Sequence, residues 1–482
     1  MAELKHYPCF IGGERIDAAS GALLEVENPA TEEVWATVPD CGADEAVRAL
    51  ESARDAQRAW AELPAVERGR WVHRLAHAVE ENRDHFVELL VREQGKTVPD
   101  AHGEVTDTVT YLTYAAEAAR RIEGRIFPSE NRGEQLWIQN VPYGVTVGMC
   151  AYNFPLALIG RKVGPALVTG NTMVLKPHEA TPVTASEFCR IASEIGLPAG
   201  VLNVVTGSGI EASAALVSSP LTRLVSLTGS TQAGQAIYRA SAENVNGLIL
   251  ELGGKASFIV LEDADLDKAV DAAVASRFAN SGQVCICNEL VLVHESIAEE
   301  FTARVVAKVK EIELADDAMT RGMGPSVTGA SIARIDGMLR ASVEGGARVE
   351  VGGGRPDGDR FARGHWYLPT VVSGVTRTMP LATTEIFGPI MPIVAVKDYA
   401  EALEICNDRE DALSAYIFTQ NASTIFHAIN HMEVGTVFVN QPIVGYIQGY
   451  HNGHKRSGVG GEDGVYGIDN YLQRRTVYLN YN

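Results

Sequence analysis

Apolar positions along the chain follow two rhythms. From Asp44 to Ala61, Val66 to Glu93 and His102 to Ile122 they return every three or four residues, the spacing of amphipathic helices. These segments predict a helical cover that follows a short strand-like opening. From Val145 the rhythm changes: Val145–Cys150, Thr172–Leu175, Val201–Val205 and Leu224–Leu227 are apolar runs without alternation, with helical patterns over Leu156–Val168 and Val183–Ile195 between them. Strands that lack a polar face, joined by helices, predict a parallel sheet covered on both sides. Leu248–Leu250 supplies a further strand, and after Glu251-Leu252-Gly253-Gly254 a second series starts at Ser257–Leu261, with Asp265 placed to cap a helix. The boundary between two α/β lobes is expected near Gly253-Gly254. No internal repeat, low-complexity tract or long linker is present, so the lobes are expected to pack against each other.

Length and charge narrow the picture. A chain of 482 residues accommodates about three structural units at roughly 150 residues each. The net charge of -20 repels a phosphate backbone or an anionic bilayer, so neither nucleic acid nor membrane is expected as a partner. Val141 to Gly160 is free of charge over nearly a bilayer's length, but Pro142, Asn153, Pro155 and three glycines interrupt it. A strand followed by a functional turn fits it better. Seven cysteines, an odd number without a CxxC pair, give neither a disulfide framework nor a zinc pattern, and no metal site is expected. With no signal-peptide pattern at the start, a reducing cytoplasm is the expected location. His73 with His77 and His427 with His431 stand four apart without the glutamate of a metal-binding helix, and are read as surface or packing residues.

Candidate chemistry clusters after the change of rhythm. Gly207-Ser208-Gly209-Ile210-Glu211-Ala212 matches a dinucleotide fingerprint, but the next acidic residue is Glu243, too far on to hold a ribose, and a plain glycine turn explains it equally well. More informative is the strand that runs into Lys176-Pro177-His178-Glu179, because a carboxylate at the end of the second strand contacts ribose hydroxyls in a doubly wound fold. Gly229-Ser230-Thr231 follows another strand and opens a helix at Gln232, whose backbone N–H groups can receive phosphate. Asn280-Ser281-Gly282-Gln283-Val284-Cys285 places a thiol after a glycine turn. A buried, inert cysteine is the ordinary alternative. With Glu251 at a strand end and Asn153 at a turn, however, nucleophile, base and oxyanion donor are all available for covalent acyl chemistry.

Six motifs occur in order: Asn153-Phe154-Pro155, Lys176-Pro177-x-Glu179, Gly229-Ser230-Thr231-x-x-Gly234, Glu251-Leu252-Gly253-Gly254-Lys255, Gly282-Gln283-x-Cys285 and Glu385-Ile386-Phe387-Gly388-Pro389. With them the chain resembles the NAD(P)-dependent aldehyde dehydrogenase superfamily over its whole length. The resemblance implies an α/β fold of two doubly wound parallel-sheet lobes plus a small β oligomerisation arm. The NAD-binding domain would take 1–125 and 142–253, the catalytic domain 254–465, and the arm 126–141 with 466–482. It implies Cys285 as nucleophile, Glu251 as hydrolytic base, Asn153 in the oxyanion hole, and Lys162 with Glu462 as a buried proton relay. Lys176, Glu179, Gly207, Gly229, Ser230, Leu252, Glu385 and Phe387 would bind the cofactor, NAD, with NADP as a weaker substitute because Glu179 repels a 2′-phosphate. A homo-oligomer, dimer or dimer of dimers, follows from the arm.

Within the superfamily the nearest resemblance is to the lactaldehyde/glycolaldehyde dehydrogenase type, through Arg161-Lys162, Cys285-x-Cys287 and Gln448-Gly449-Tyr450-His451. Arg161, Ile286, Cys287 and His451 are then expected at the substrate, with Cys287 either lining the pocket or bridging to Cys285 under oxidation. Gly445 stands where those enzymes carry an acidic residue, which leaves more room and points to a bulkier hydroxyaldehyde, such as a sugar-derived or anhydrosugar aldehyde. Succinate semialdehyde is the alternative substrate, since Arg161 also occurs in that subfamily. A non-catalytic, crystallin-like structural protein is the alternative of another class, opposed by the intact Cys285, Glu251 and Asn153.

Overall fold

The computed structural model describes residues 4–482. Among them, two large sheets carry the chain. The first runs in the order Gly458–Val459, Gly247–Glu251, Leu224–Thr228, Val145–Met149, Thr172–Lys176, Leu202–Val204, Cys9–Ile11 and Glu14–Ile16. Its five central strands, Gly247–Glu251 to Leu202–Val204, are parallel, while the flanking strands pair antiparallel. Every residue of Val145–Met149 and Thr172–Lys176 is buried. Covered on both faces, such strands have no use for a polar side, which is why their sequences do not alternate.

From Val145–Met149 the chain winds outward through Thr172–Lys176 and Leu202–Val204, then returns to the opposite side of the first strand for Leu224–Thr228 and Gly247–Glu251. The order reverses between Val145–Met149 and Leu224–Thr228, and a crevice opens beyond the carboxyl ends of strands at such a switch point. Asn153 and Gly229-Ser230 leave those two strand ends.

The second sheet orders Arg348–Val351, Thr370–Ser373, Ile390–Val396, Leu290–His294, Ser257–Val260, Ser414–Phe418 and Thr436–Val439. All neighbours are parallel except the first pair. Gly253-Gly254 lies between the last parallel strand of one sheet and the first strand of the other. One segment crosses the expected division: Gly458–Val459, within the range read as catalytic, pairs with Leu250 and Glu251 of the first sheet. A two-residue edge strand carries too little pattern to reveal its partner.

The helical cover differs in detail from its periodicity. The pattern from Val66 to Glu93 is two helices, Ala65–Glu81 and Arg83–Gln94, separated at Asn82, whose side-chain amide donates to the Ala78 carbonyl. The third helix spans Val98–Glu117, starting earlier than its apolar stripe because the Thr97 hydroxyl accepts from the Asp100 N–H. Asp265 caps Leu266–Phe278 by accepting from the Lys268 N–H at 3.2 Å. The helix Pro155–Val168 lies so close to Val98–Glu117 that a Cβ at Gly164 would stand 2.8 Å from that of Ala115. This approach, which glycine alone permits, brings Tyr111 against Arg161, their ring and guanidinium 5.3 Å apart. The strands Arg125–Pro128, Glu134–Pro142 and Leu472–Asn480 form a separate antiparallel sheet. His73, His77, His427 and His431 are all exposed. Among the described residues no helix is long and apolar enough to cross a membrane.

Candidate active site

Between the two sheets lies a cavity of about 640 Å³. The loop carrying Cys285 enters it from the end of Leu266–Phe278 through three successive left-handed residues, Asn280 (φ 46°), Ser281 (φ 59°) and Gly282 (φ 74°). Two of these are not glycine, and such backbone persists only where its surroundings hold it. The Asn280 side chain accepts from Lys96 Nζ at 3.0 Å and donates to the Asn153 carbonyl at 3.0 Å. Ser281 Oγ donates to the Gly324 carbonyl at 2.7 Å, and a Cβ at Gly282 would sit 2.2 Å from the Gly388 carbonyl oxygen. Past this turn Cys285 stands half-buried in the cavity wall, next to Ile286. The Ile286 carbonyl is fixed from below by the Tyr416 hydroxyl at 2.5 Å.

Cys287, expected at the substrate, is elsewhere. The turn closed by its N–H on the Val284 carbonyl sends its side chain to the opposite face. There it is fully buried, its sulfur 3.3 Å from Arg277 Nη1, and burial pushes its thiol up to about 12. It neither lines the cavity nor presents a thiolate, so the expected pocket-wall role is corrected to packing.

Glu251 ends its strand at the cavity floor, 2% exposed, with Oε2 at 2.8 Å from His451 Nδ1. Burial raises the Glu251 carboxyl above the usual range. His451 is also desolvated, which opposes its charge, but the Glu251 carboxylate at 2.8 Å outweighs this and lifts it to about 10. The imidazole therefore carries its proton at neutral pH. Asn153 Nδ2 donates to the Gln283 carbonyl at 2.9 Å, leaving its second hydrogen free. Glu251 Oε1 and Asn153 Oδ1 are buried without a partner among the described residues. Buried polar atoms are normally satisfied, so a water or a ligand is called for at each.

Beneath this floor Lys162 Nζ meets Glu462 Oε1 at 2.6 Å, with Thr228 and Ser226 hydroxyls at 2.9 and 3.0 Å. Against the cost of burial, Lys162 and Arg161 hold the Glu462 carboxyl below its usual range. Neither Lys162 nor Glu462 reaches the cavity itself. Arg161 does, but its guanidinium is held by both carboxylate oxygens of Asp463, Nε to Oδ1 at 3.0 Å and Nη2 to Oδ2.

The other end of the cavity offers a cradle for a dinucleotide. Gly229, Leu252 and Phe387 line it, and Ser230 caps Thr231–Ser241 by accepting from the Ala233 N–H, leaving the free N–H groups of that helix start toward the crevice. Glu385 Oε1 accepts from the Gly254 N–H at 3.0 Å; burial, with Glu289 nearby, pushes this carboxyl to about 7. Phe387 packs edge-on against Tyr152 at 5.9 Å. Lys176, Glu179 and Gly207 lie beyond the cavity, at the end of Thr172–Lys176. Lys176 is buried and spends Nζ on the Gly207 and Pro177 carbonyls at 2.7 and 3.0 Å. Glu179 is half exposed and among the described residues meets only His178, at 3.6 Å. A carboxylate so placed, with its lone pairs open, fits ribose hydroxyls.

Residues 16–477 match the aldehyde dehydrogenase family. The chain is 42% identical over 480 residues to a 3,6-anhydro-alpha-L-galactose dehydrogenase of Vibrio sp. (strain EJY3), over 99% of this chain and 100% of that one. The chain belongs to the aldehyde dehydrogenase family. It is also 40% identical to the lactaldehyde dehydrogenase of Escherichia coli (strain K12), over 98% of each chain. A solved 3,6-anhydro-L-galactose dehydrogenase in complex with NADP superposes with a TM-score of 0.96 at 44% identity, over 99% of this chain and 100% of that chain. Aldehyde dehydrogenases oxidise an aldehyde with NAD(P), and the open-ended cavity, half-buried thiol and buried carboxylate suit that activity.

Several residues of this aldehyde dehydrogenase site escaped the sequence reading. Asp463 and Tyr111 line the substrate end with Arg161. Lys96 holds the Asn153 carbonyl at 3.1 Å, and Glu104 Oε1 accepts the Leu156 and Ala157 N–H groups at 2.8 and 3.1 Å, fixing the helix that starts after Asn153. Glu289 is wholly buried, takes the Ile386 and Phe387 N–H groups at 2.6 and 3.0 Å, and pairs with Arg277 and Lys255 at 2.8 and 2.9 Å. Only Asp463, beside Glu462, stood next to a residue already singled out.

Proposed function

We propose that this aldehyde dehydrogenase oxidises small uncharged hydroxyaldehydes, such as lactaldehyde, glycolaldehyde or an anhydrosugar aldehyde, to their carboxylates, with NAD preferred over NADP. The convergence of Cys285, His451 and Glu251 on one cavity, with His451 Nδ1 2.8 Å from Glu251 Oε2, carries the reading of the chemistry. The Cys285 thiol gives its proton to water in the cavity, and the thiolate, favoured by the positive imidazole of His451, attacks the carbonyl carbon. The oxyanion that forms lies between the free Asn153 Nδ2 hydrogen and the Cys285 backbone N–H. Held by Gly229, Ser230, Leu252, Glu385 and Phe387, NAD(P) would supply the hydride acceptor, and loss of hydride from that carbon would leave the acyl group on Cys285 as a thioester. Glu251 Oε1 then takes a proton from the water that hydrolyses it, and a carboxyl raised by burial is a better base for this than an exposed one. Lys162 and Glu462 lie one layer below and are suited to pass that proton on.

Two features favour a hydroxyaldehyde. A Cβ at Gly445 would meet nothing within 4 Å, so this wall leaves room for a ring or a branched carbon. The relatives named for lactaldehyde and anhydrogalactose oxidation point the same way. For the cofactor, the Glu179 carboxylate suits free ribose hydroxyls and repels a 2′-phosphate. The three-stranded sheet leaves Ile126, Phe127 and Tyr478 exposed, with Tyr481 exposed just past its last strand, an apolar surface suited to pairing with a second copy, as an oligomerisation arm would.

A panel of L-lactaldehyde, glycolaldehyde, anhydrogalactose, propanal and benzaldehyde, each with NAD and with NADP, tests the reading by kcat/KM. Hydroxyaldehydes should exceed propanal by about tenfold or more, since buried polar groups reward a substrate that pairs them. A ranking led by propanal or benzaldehyde would refute it.

A further inference from the structure

Asp463 combines two unusual properties. Its backbone lies at φ 66° and ψ 167°, a region that only glycine enters freely. A side chain there is strained, and the conformation persists because something holds it in place. Backbone bonds pin its neighbours, Glu462 to His451 and Gly464 N–H to the Ile447 carbonyl at 2.7 Å, and the Asp463 carboxylate grips at two points Arg161, whose guanidinium lies 5.3 Å from the Tyr111 ring. Arg161 also faces Glu462 Oε2 at 3.7 Å, and Glu462 in turn holds Lys162. Two cations therefore meet two carboxylates, and the group is neutral.

An arginine at the wall of a substrate cavity is suited to a bidentate grip on a carboxylate. Here that grip is already filled from within the chain. We propose that Asp463 is a specificity-determining residue, an internal carboxylate that occupies Arg161 and thereby excludes aldehydes bearing a distal carboxylate, such as succinate semialdehyde, in favour of uncharged ones. A semialdehyde that entered would bring a third carboxylate to two cations, with Asp107 adding a fourth at the cavity mouth. Without Asp463 one carboxylate fewer would face the two cations, and the Arg161 guanidinium would be open to the carboxylate of a ligand. The inference refines the uncharged-substrate reading and names the residue that enforces it.

The test compares kcat/KM for succinate semialdehyde with that for butanal, which has the same four carbons and no carboxylate. Asp463→Gly relieves the backbone strain, so its folding is favoured, and Asp463→Asn keeps the volume while removing the charge. In both variants the semialdehyde-to-butanal ratio should rise by about tenfold or more, chiefly through a lower KM for the semialdehyde. Adding Arg161→Met to Asp463→Gly should cancel the rise. A ratio that stays level or falls in either variant, or a gain that survives loss of Arg161, overturns the proposal. Because the ratio uses butanal, an enzyme that failed to prefer hydroxyaldehydes would still return a clear answer here.

Discussion

At the substrate end of the cavity and in the layer beneath it the buried ionisable groups are already paired, Arg161 with Asp463, Lys162 with Glu462 and His451 with Glu251, whereas just beyond the dinucleotide end Glu179 is half exposed and among the described residues meets only His178 at 3.6 Å. Preorganised charges need no rearrangement as a tetrahedral oxyanion forms, which is where catalysis gains most from electrostatics. A ligand that must enter and leave at every turnover is better served by an open carboxylate. The reacting groups Cys285, Glu251 and His451 should therefore be intolerant of substitution, and the dinucleotide end adjustable.

The largest effect is expected at the nucleophile. Cys285→Ser should lower kcat at least about a thousandfold, because a hydroxyl is a far weaker nucleophile than a thiol beside a positive imidazole. Dinucleotide binding, followed by fluorescence titration, should stay near the wild-type value. Next comes Glu289, which holds the backbone of Phe387 at the dinucleotide end while pairing with Arg277 and Lys255. Burial opposes its charge, yet Arg277 and Lys255 hold it down to about 2. Its contribution to stability is therefore present above the unfolded-state value near 4.3 and lost as pH falls toward 2. Glu289→Gln should cost about 3–5 kcal/mol in denaturant unfolding at neutral pH, since two buried cations lose their partner. A change under about 1 kcal/mol would show that the network is not a structural link.

The pairs that separate these two regions were the hardest features to read from the chain. The parallel strands were legible because burial on both faces removes alternation from each strand's own sequence, and Cys285, Glu251 and Asn153 because each sits in a local motif. Asp463, Glu289 and Lys96 act on partners 302, 97 and 57 positions away in sequence. Spacing carries no record of such contacts. Cys287 was placed at the substrate through the Cys285-x-Cys287 resemblance, and the turn closed by its N–H on the Val284 carbonyl, which carries the side chain away from the cavity, leaves no mark in that spacing. The single helix expected from Val66 to Glu93 kept its periodicity across Asn82, and only the local backbone reveals the break.

Smaller effects sharpen the contrast. His451 holds its proton up to about pH 10. The wild-type kcat/KM should therefore carry an alkaline limb near that pH, absent from His451→Gln, whose activity at neutral pH should fall by about tenfold or more. Identical limbs in both proteins would remove His451 from the activation of Cys285. Least of all, Glu179→Gln should shift the NADP-to-NAD ratio of kcat/KM upward by about three- to tenfold, a modest change because solvent screens a half-exposed carboxylate. An unchanged ratio would leave cofactor choice to other residues.

The most direct test of covalent catalysis by Cys285 with hydrolysis by Glu251 is a rapid-mix experiment on Glu251→Gln, combined with intact-protein mass measurement. The variant should release one NADH per active site in a burst and then stall, with the acyl group of the substrate found on Cys285. Steady turnover without a burst, or an acyl adduct on any other residue, would contradict it.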